Sequence, residues 1–189
     1  MKDNSLKLNK ISIFFVVFFT GCLGNDQTES TPTSLTFFDL KGFFQTEIKQ
    51  LKNVRNISKI TEVNGQKETL KLDSIDFEID LKIFSDADIN KPSWQDKYSV
   101  DSLINEDGQI SKLTYGAQSQ KLKIRNLEID YVDGKVSQIS IIKSSSSAIS
   151  EVSEKLIYKP NSGYNIEREQ DITLSGKNQF RVEVKFERY

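Results

Sequence analysis

The sequence contains no histidine and only one cysteine, one tryptophan and one methionine among its 189 residues. Histidine is the commonest general base and the usual partner of a serine or cysteine nucleophile, and most zinc sites in proteins include histidine or several cysteines. Its absence disfavours most enzyme classes, so we predict a non-catalytic protein with no cofactor and no metal site. An enzyme that relies on carboxylates, a serine–lysine pair or tyrosine is the less favoured alternative.

A strong charge of one sign is also absent, because 26 basic and 27 acidic side chains are interleaved along the chain. Nucleic-acid-binding proteins concentrate basic residues on one surface, so we predict no nucleic-acid partner. Long apolar runs are absent beyond residue 23, although hydrophobic residues still make up 37% of the chain. This content is typical of a domain that packs a core in water.

The single cysteine follows an apolar segment near the N-terminus. Lys2, Lys7 and Lys10 precede or border the apolar run at 11–19, which is the organisation of a secretory signal peptide. The run is shorter than the roughly 20 apolar residues of a membrane-spanning helix, which is the less favoured alternative.

The residues FTGC at 19–22 resemble the bacterial lipobox, although phenylalanine occupies the position where leucine is usual. The resemblance implies cleavage before Cys22, diacylglycerol on its thiol and acylation of its new amino group. A free thiol or an intermolecular disulfide is the alternative for a lone cysteine in an exported protein. Each buried methylene of an acyl chain contributes about 0.8 kcal/mol, so we expect Cys22 to hold the protein firmly on a membrane.

These features divide the sequence into three parts. We predict a lipoprotein signal peptide at 1–21, a flexible polar tether at 22–34 and a single folded domain at 35–189. Leu23 follows the cysteine, and in enteric-type sorting the absence of aspartate there implies passage to the outer membrane. We therefore expect an exported protein on the periplasmic face of that membrane or at the cell surface.

The predicted domain begins with a segment of helical periodicity. An apolar stripe at helical spacing consists of Phe37, Leu40, Phe44, Ile48 and Leu51. This pattern predicts an amphipathic N-terminal helix. Phe38 and Phe43 lie off the stripe, so the aromatic surface is wider than one contact face requires. The helix either lies in a groove of a sheet or presents a ligand-lining or membrane-facing surface.

The rest of the domain is dominated by hairpin signals. Turn sequences rich in asparagine, aspartate and glycine separate alternating apolar and polar runs at 64–65, 107–108, 133–134, 160–163 and 175–178. Such residues adopt the positive φ that tight hairpins need, so the sequence predicts a curved antiparallel meander of about seven to nine strands. The alternation slips at Arg125 and Asn126, which predicts a bulge.

The segment 74–87 fits two structures. Its apolar residues alternate strictly with polar ones, which is typical of a strand. Ser74 as an N-cap, Asp76 in a first turn and Lys82 in a later turn favour a helix instead. As a helix, the segment would carry apolar side chains on two opposite sides.

Three stretches resemble a known family. FDLKGFF at 38–44, DINKPSWQDKY at 88–98 and KPNSGY at 159–164 are similar to sequences of an uncharacterised family of small lipoproteins of Bacteroidota-type bacteria. The resemblance implies no activity, since none is attached to the family. Its members have a more helical pattern before the second stretch, which favours a second helix at 74–87.

Aromatic residues are the main candidates for a binding site. The candidate ligand or partner surface consists of Phe37, Phe38, Phe43, Phe44, Trp94 and Tyr98. Trp94 and Tyr98 follow a turn and either enter the core or line a pocket. Ser74 and Ser102 each lie in an Asp-Ser-apolar tripeptide that resembles the O-glycosylation acceptor of some Bacteroidota.

Together these features predict an α+β domain, with the N-terminal helix, and a second helix if 74–87 is helical, packed on the sheet. Such a geometry can enclose an apolar cavity. We therefore predict a membrane-anchored, non-catalytic lipoprotein that binds an apolar ligand or an envelope protein. The alternative is a structural or assembly accessory of the cell envelope.

Overall fold

The computed structural model describes residues 36–186. Over this range nine antiparallel strands form one open sheet in the order β2-β1-β9-β8-β7-β6-β5-β4-β3. The strands are β1 (Ile57–Val63), β2 (Gln66–Leu72), β3 (Tyr98–Ile104), β4 (Ile110–Ala117), β5 (Ile124–Val132), β6 (Lys135–Ser146), β7 (Ser150–Lys159), β8 (Gly163–Ile172) and β9 (Gly176–Lys185).

The helices are short and few within the same range. They are α1 (Leu40–Leu51), α2 (Phe77–Asp80), α3 (Lys82–Ser85) and a 3₁₀ turn (Pro92–Trp94). The protein is thus mainly an antiparallel sheet with a few short helices. The ambiguous segment is helical at α2 and α3, and its N-cap is Asp76 rather than Ser74. The Asp76 carboxylate accepts hydrogen bonds from the backbone N–H groups of Glu78 and Ile79 at 3.0 and 3.2 Å.

All five predicted hairpins are present, and strands β3 to β9 follow one another as a meander. The β1–β2 hairpin departs from a simple meander because the other side of β1 pairs with β9, which is distant in sequence. Residues 73–97 therefore lead from the β2 edge to the β3 edge. A tight turn specifies which two strands pair across it, but not which free edge the finished hairpin joins.

One turn depends on a glycine. Gly163 lies at the start of β8 with φ of +133°, and a Cβ at this position would lie 1.9 Å from the carbonyl oxygen of Val184 on β9. Only glycine combines this backbone angle with such a close approach.

The predicted bulge is also confirmed, since the β5–β6 register shifts between Ile124 and Asn126.

The two faces of the sheet differ because successive side chains of a strand point to opposite sides. On the face against the helices, which we call the helix-side face, large side chains are buried. They are Tyr115, Leu127, Ile129, Ile139, Ile141, Leu156, Tyr158, Tyr164 and Val184. The other face, which we call the open face, carries charged residues such as Lys112, Glu128 and Glu167.

Candidate functional site

Three of the six predicted aromatic residues are part of the packed core. Phe44 of α1 is fully buried, and its ring centroid lies 5.0 Å from that of Tyr158 and 5.3 Å from that of Phe84. Phe37 and Tyr98 are buried with a ring separation of 5.9 Å. These edge-on and tilted contacts are the arrangement that aromatic rings adopt in protein interiors.

The other three aromatic residues lie at the margin of the core. Phe38 and Phe43 are half-buried, and their ring centroids are 5.7 Å apart. Trp94 is also half-buried, 6.1 Å from the Tyr98 ring, and the Lys91 ammonium lies 3.9 Å from the centre of its ring. Ring contacts thus join Phe38, Phe43 and Phe44 into one group and Phe37, Tyr98 and Trp94 into another. Lys91 adds a cation–π contact at the surface.

Asn90, in the segment before β3, holds this region together. Asn90 accepts a hydrogen bond from the backbone N–H of Phe37 at 2.9 Å and donates one to the carbonyl of Phe38, also at 2.9 Å. Asp88 in turn accepts hydrogen bonds from the backbone and side-chain amides of Asn90. Asp88 and Asn90 therefore connect the residues just before α1 to the segment that precedes β3.

Two carboxylates lie between the helices and the sheet. Glu47 of α1 is buried and accepts a hydrogen bond from the hydroxyl of Tyr158 on β7. Asp80 of α2 accepts one from Tyr164 on β8 and pairs with Lys59 of β1 at 3.1 Å. Because Tyr158 and Tyr164 are direct cross-strand partners, both helices are hydrogen-bonded to adjacent positions of the sheet.

The chemistry of this buried layer favours an anchoring role. Burial, and then the hydrogen bond to Asp80, raise the pKa of Tyr164 far above its ordinary value. Such a hydroxyl stays protonated and donates to the carboxylate. Among the residues described, no group of histidine, cysteine, aspartate and glutamate side chains is arranged to hold a metal ion.

The edge strand β3 is the most unusual exposed surface. Its outer side pairs with no strand among residues 36–186. Val100, Leu103 and Ile104 are 53%, 61% and 64% exposed, and Ile110 on the adjoining strand is 46% exposed. We call this surface the β3 edge. Native edge strands usually carry lysine, proline or other residues that prevent pairing with another chain.

The charges near the two edges also differ. From 98 to 111 the sequence contains Asp101, Glu106 and Asp107 but no basic residue. The β2 edge instead alternates both signs, with Lys67, Glu68 and Lys71 around an exposed Leu70. The β3 edge is thus apolar and acidic, whereas the β2 edge has the lysines that protect a native edge strand. In the sequence, this edge could have been recognised from the residues at 98–111, which have the alternation of a strand but no basic side chain.

The remaining predicted sites lie on the surface or outside the described residues. Ser74 is exposed in the segment after β2, and Ser102 is exposed in the middle of β3. Cys22, the signal peptide at 1–21 and the tether at 22–34 lie outside the described residues. No helix between residues 36 and 186 has the length and apolar character needed to cross a membrane.

Comparison of this chain with protein-family models, with curated proteins and with solved structures finds no match.

Proposed function

We propose that the protein is an exported, lipid-anchored, non-catalytic binding protein of the outer membrane, and that its β3 edge takes up an extended segment of an envelope protein. In this proposal Cys22 carries the lipid, and 35–189 form a single α+β domain whose curved sheet presents that edge. The observation that carries the proposal is an edge strand whose outer side pairs with no strand among residues 36–186 and which carries three apolar side chains more than half exposed. Strand addition supplies main-chain hydrogen bonds, and exposed alternate side chains supply specificity.

The charge of the edge specifies the partner. Three carboxylates and no basic residue lie between 98 and 111, so a complementary segment alternates apolar residues with lysine or arginine. Such a segment would cover the exposed apolar side chains and neutralise Asp101. Opposite charges placed across a strand pair are stabilising, whereas like charges are not.

Photocrosslinking in cells tests this interface. A photoreactive amino acid at Ser102 should give one discrete adduct, while the same group at Thr69, the central residue of β2, should give none. Leu103→Lys should remove the adduct, because it adds a like charge against the basic partner. Leu70→Lys is the matched control on the other edge and should leave the adduct intact. Equal crosslinking from both edges, or a Ser102 adduct that survives Leu103→Lys, would contradict the proposal.

The lipid anchor has a separate test. Replacing Cys22 with serine should move the protein from the detergent phase to the aqueous phase in a phase-partition experiment. The native protein should exceed the mass of residues 22–189 by a diacylglyceryl group and an acyl group on the amine. A native mass equal to that of the unmodified chain would refute lipidation.

The half-exposed aromatic rings support a second candidate, binding of an apolar ligand at Phe38 and Phe43, whose rings are in contact at the margin of the core. Native mass spectrometry of protein extracted from its host should then show a bound apolar molecule, which Phe43→Ser should release. Extraction with no bound molecule would exclude this candidate and leave the accessory role or the β3 partner.

Glycosylation competes with partner binding at one position. Ser74 and Ser102 are both exposed, which supports the proposal that their tripeptides accept a glycan. A glycan on Ser102 would obstruct the β3 edge, whereas one on Ser74 would not. Intact mass of the native protein, with and without Ser102→Ala, therefore separates the two uses of this residue.

A further inference from the structure

A row of charged side chains crosses the helix-side face of the sheet. Lys143 of β6, Glu154 of β7 and Arg168 of β8 are direct cross-strand partners. Their neighbours on the same face, Ile141 and Leu156, are buried in the core. The charged row therefore borders the hydrophobic core, with Glu154 and Lys143 mostly covered and Arg168 exposed to water.

These residues surround a cavity with a volume of about 190 Å³. The cavity is lined by Lys123, Lys143, Ser144, Ser145, Val152, Glu154 and Arg168. Three cations and one carboxylate give the lining a net charge of +2 at neutral pH. Sites for drug-sized ligands usually measure about 300–1,000 Å³, so this cavity suits a smaller group of negative charge.

The single carboxylate leaves most of the positive charge uncompensated. The Lys143 ammonium lies 2.6 Å from Glu154, but the closest approach of Arg168 to Glu154 is 3.8 Å, which is too long for a hydrogen bond. Within residues 36–186, no carboxylate forms an ion pair with Lys123. Glu154 is nearly buried at 13% side-chain exposure and holds Lys143, whereas the donors of Arg168 and Lys123 are available.

We propose that this cavity binds a phosphate-type oxyanion, either a free phosphate or the headgroup of an anionic phospholipid. Arg168 offers the planar fork of donors that matches phosphate oxygens, and the two lysines contribute mobile point charges. Glu154 positions Lys143 and opposes the anion, so it limits the affinity. The cavity is built by β6 to β8 and by Lys123, which precedes β5. It does not include the β3 edge, so this site is independent of the proposed partner.

Calorimetric titration of the full chain with inorganic phosphate at low salt tests the site. Wild-type protein should bind one phosphate. Arg168→Gln and Lys123→Gln should each weaken binding about tenfold, the order expected for loss of one hydrogen bond to a charged group. Glu154→Gln should tighten binding, because it removes the only negative charge in the lining.

Lys155→Gln is the matched control. Lys155 follows Glu154 in β7, is exposed and points to the open face, so its loss changes the net charge equally without altering the cavity. Its phosphate affinity should equal that of the wild type. Far-ultraviolet circular dichroism and the midpoint of thermal unfolding should show that every variant is folded before it is titrated.

A second titrant distinguishes the sources of the anion. Tighter binding of glycerophosphoglycerol, a phosphodiester, supports a phospholipid headgroup, and tighter binding of inorganic phosphate supports a free anion. If neither inorganic phosphate nor glycerophosphoglycerol shows saturable binding, the proposal is overturned. Equal weakening by Lys155→Gln and Arg168→Gln would also overturn it, because it would show attraction by net charge alone.

Discussion

The two faces of the sheet are built from the same strands but are stabilised by different interactions. On the helix-side face, rings and aliphatic side chains pack against α1, α2 and α3, and Glu47 and Asp80 accept hydrogen bonds from tyrosines. On the open face, ion pairs such as Lys112 with Glu128 and Asp130 lie in contact with water. Burial makes interactions on the first face far more costly to lose than those on the second.

The largest difference should appear on removal of an apolar side chain. Phe44→Ala should destabilise the fold by about 3–5 kcal/mol, since it leaves a cavity among fully buried rings. Ile142→Ala, at a half-buried position of the open face, should cost about 1 kcal/mol. Urea unfolding measures the change in the free energy of unfolding for both variants, provided that the m-value stays the same. Equal losses of stability for the two variants would show that the helices do not bury the helix-side face.

The second difference concerns a buried polar pair. Tyr158→Phe removes the donor that contacts the buried Glu47 carboxylate, which should cost about 1–3 kcal/mol. Replacing both residues, with Glu47→Leu and Tyr158→Phe together, should cost less than the sum of the single changes, because the buried carboxylate is then not left without the Tyr158 donor. A double-mutant cycle of urea unfolding measures this coupling. A coupling of zero would mean that the hydrogen bond does not hold α1 on the sheet.

The hairpins could be predicted from sequence because each depends on a few adjacent residues. Asn64 and Asp133, for example, adopt positive φ of 50° and 51° beside glycines. The pairing of β1 with β9 joins residues more than 100 positions apart, such as Thr61 and Val182, and no local pattern encodes it. The crossing of 73–97 from one edge to the other was unpredictable for the same reason.

The segment 74–87 shows why periodicity alone could not decide. Phe77, Leu81 and Phe84 are buried at helical spacing, while Ile79 is 70% exposed. The segment read as strictly alternating because Ile79, an apolar residue that faces water, lies between Phe77 and Leu81. For the candidate site, the aromatic residues were visible in the sequence. The β3 edge became apparent only from the sheet order, because a strand pattern does not show whether the strand lies at an edge.

A third prediction uses pH to compare the faces. Burial, only partly offset by Arg125, raises the pKa of Tyr98 from 10.0 to about 12. Between these values the unfolded chain releases the proton while the folded chain keeps it, so stability should fall as pH rises from 10 to 12. The loss attributable to Tyr98 should reach up to about 2 kcal/mol. Tyr98→Phe should reduce the slope of stability against pH in this window. An unchanged slope would contradict burial of the hydroxyl.

The smallest effect should come from the open face. Hydrogen bonds to Asp130 and then to Glu128 raise the pKa of Lys112 above 10.5, so its charged form contributes stability that is complete below pH 10.5 and is lost as pH rises through the higher folded value. Lys112 is about one-third exposed, so Lys112→Gln should cost less than about 1 kcal/mol at neutral pH.

High salt should reduce this cost further, whereas the coupling between Glu47 and Tyr158 should be insensitive to salt because it is buried. Urea unfolding at low and high salt measures both quantities. A cost for Lys112→Gln as large as that coupling would mean that solvent does not weaken this ion pair as its exposure predicts.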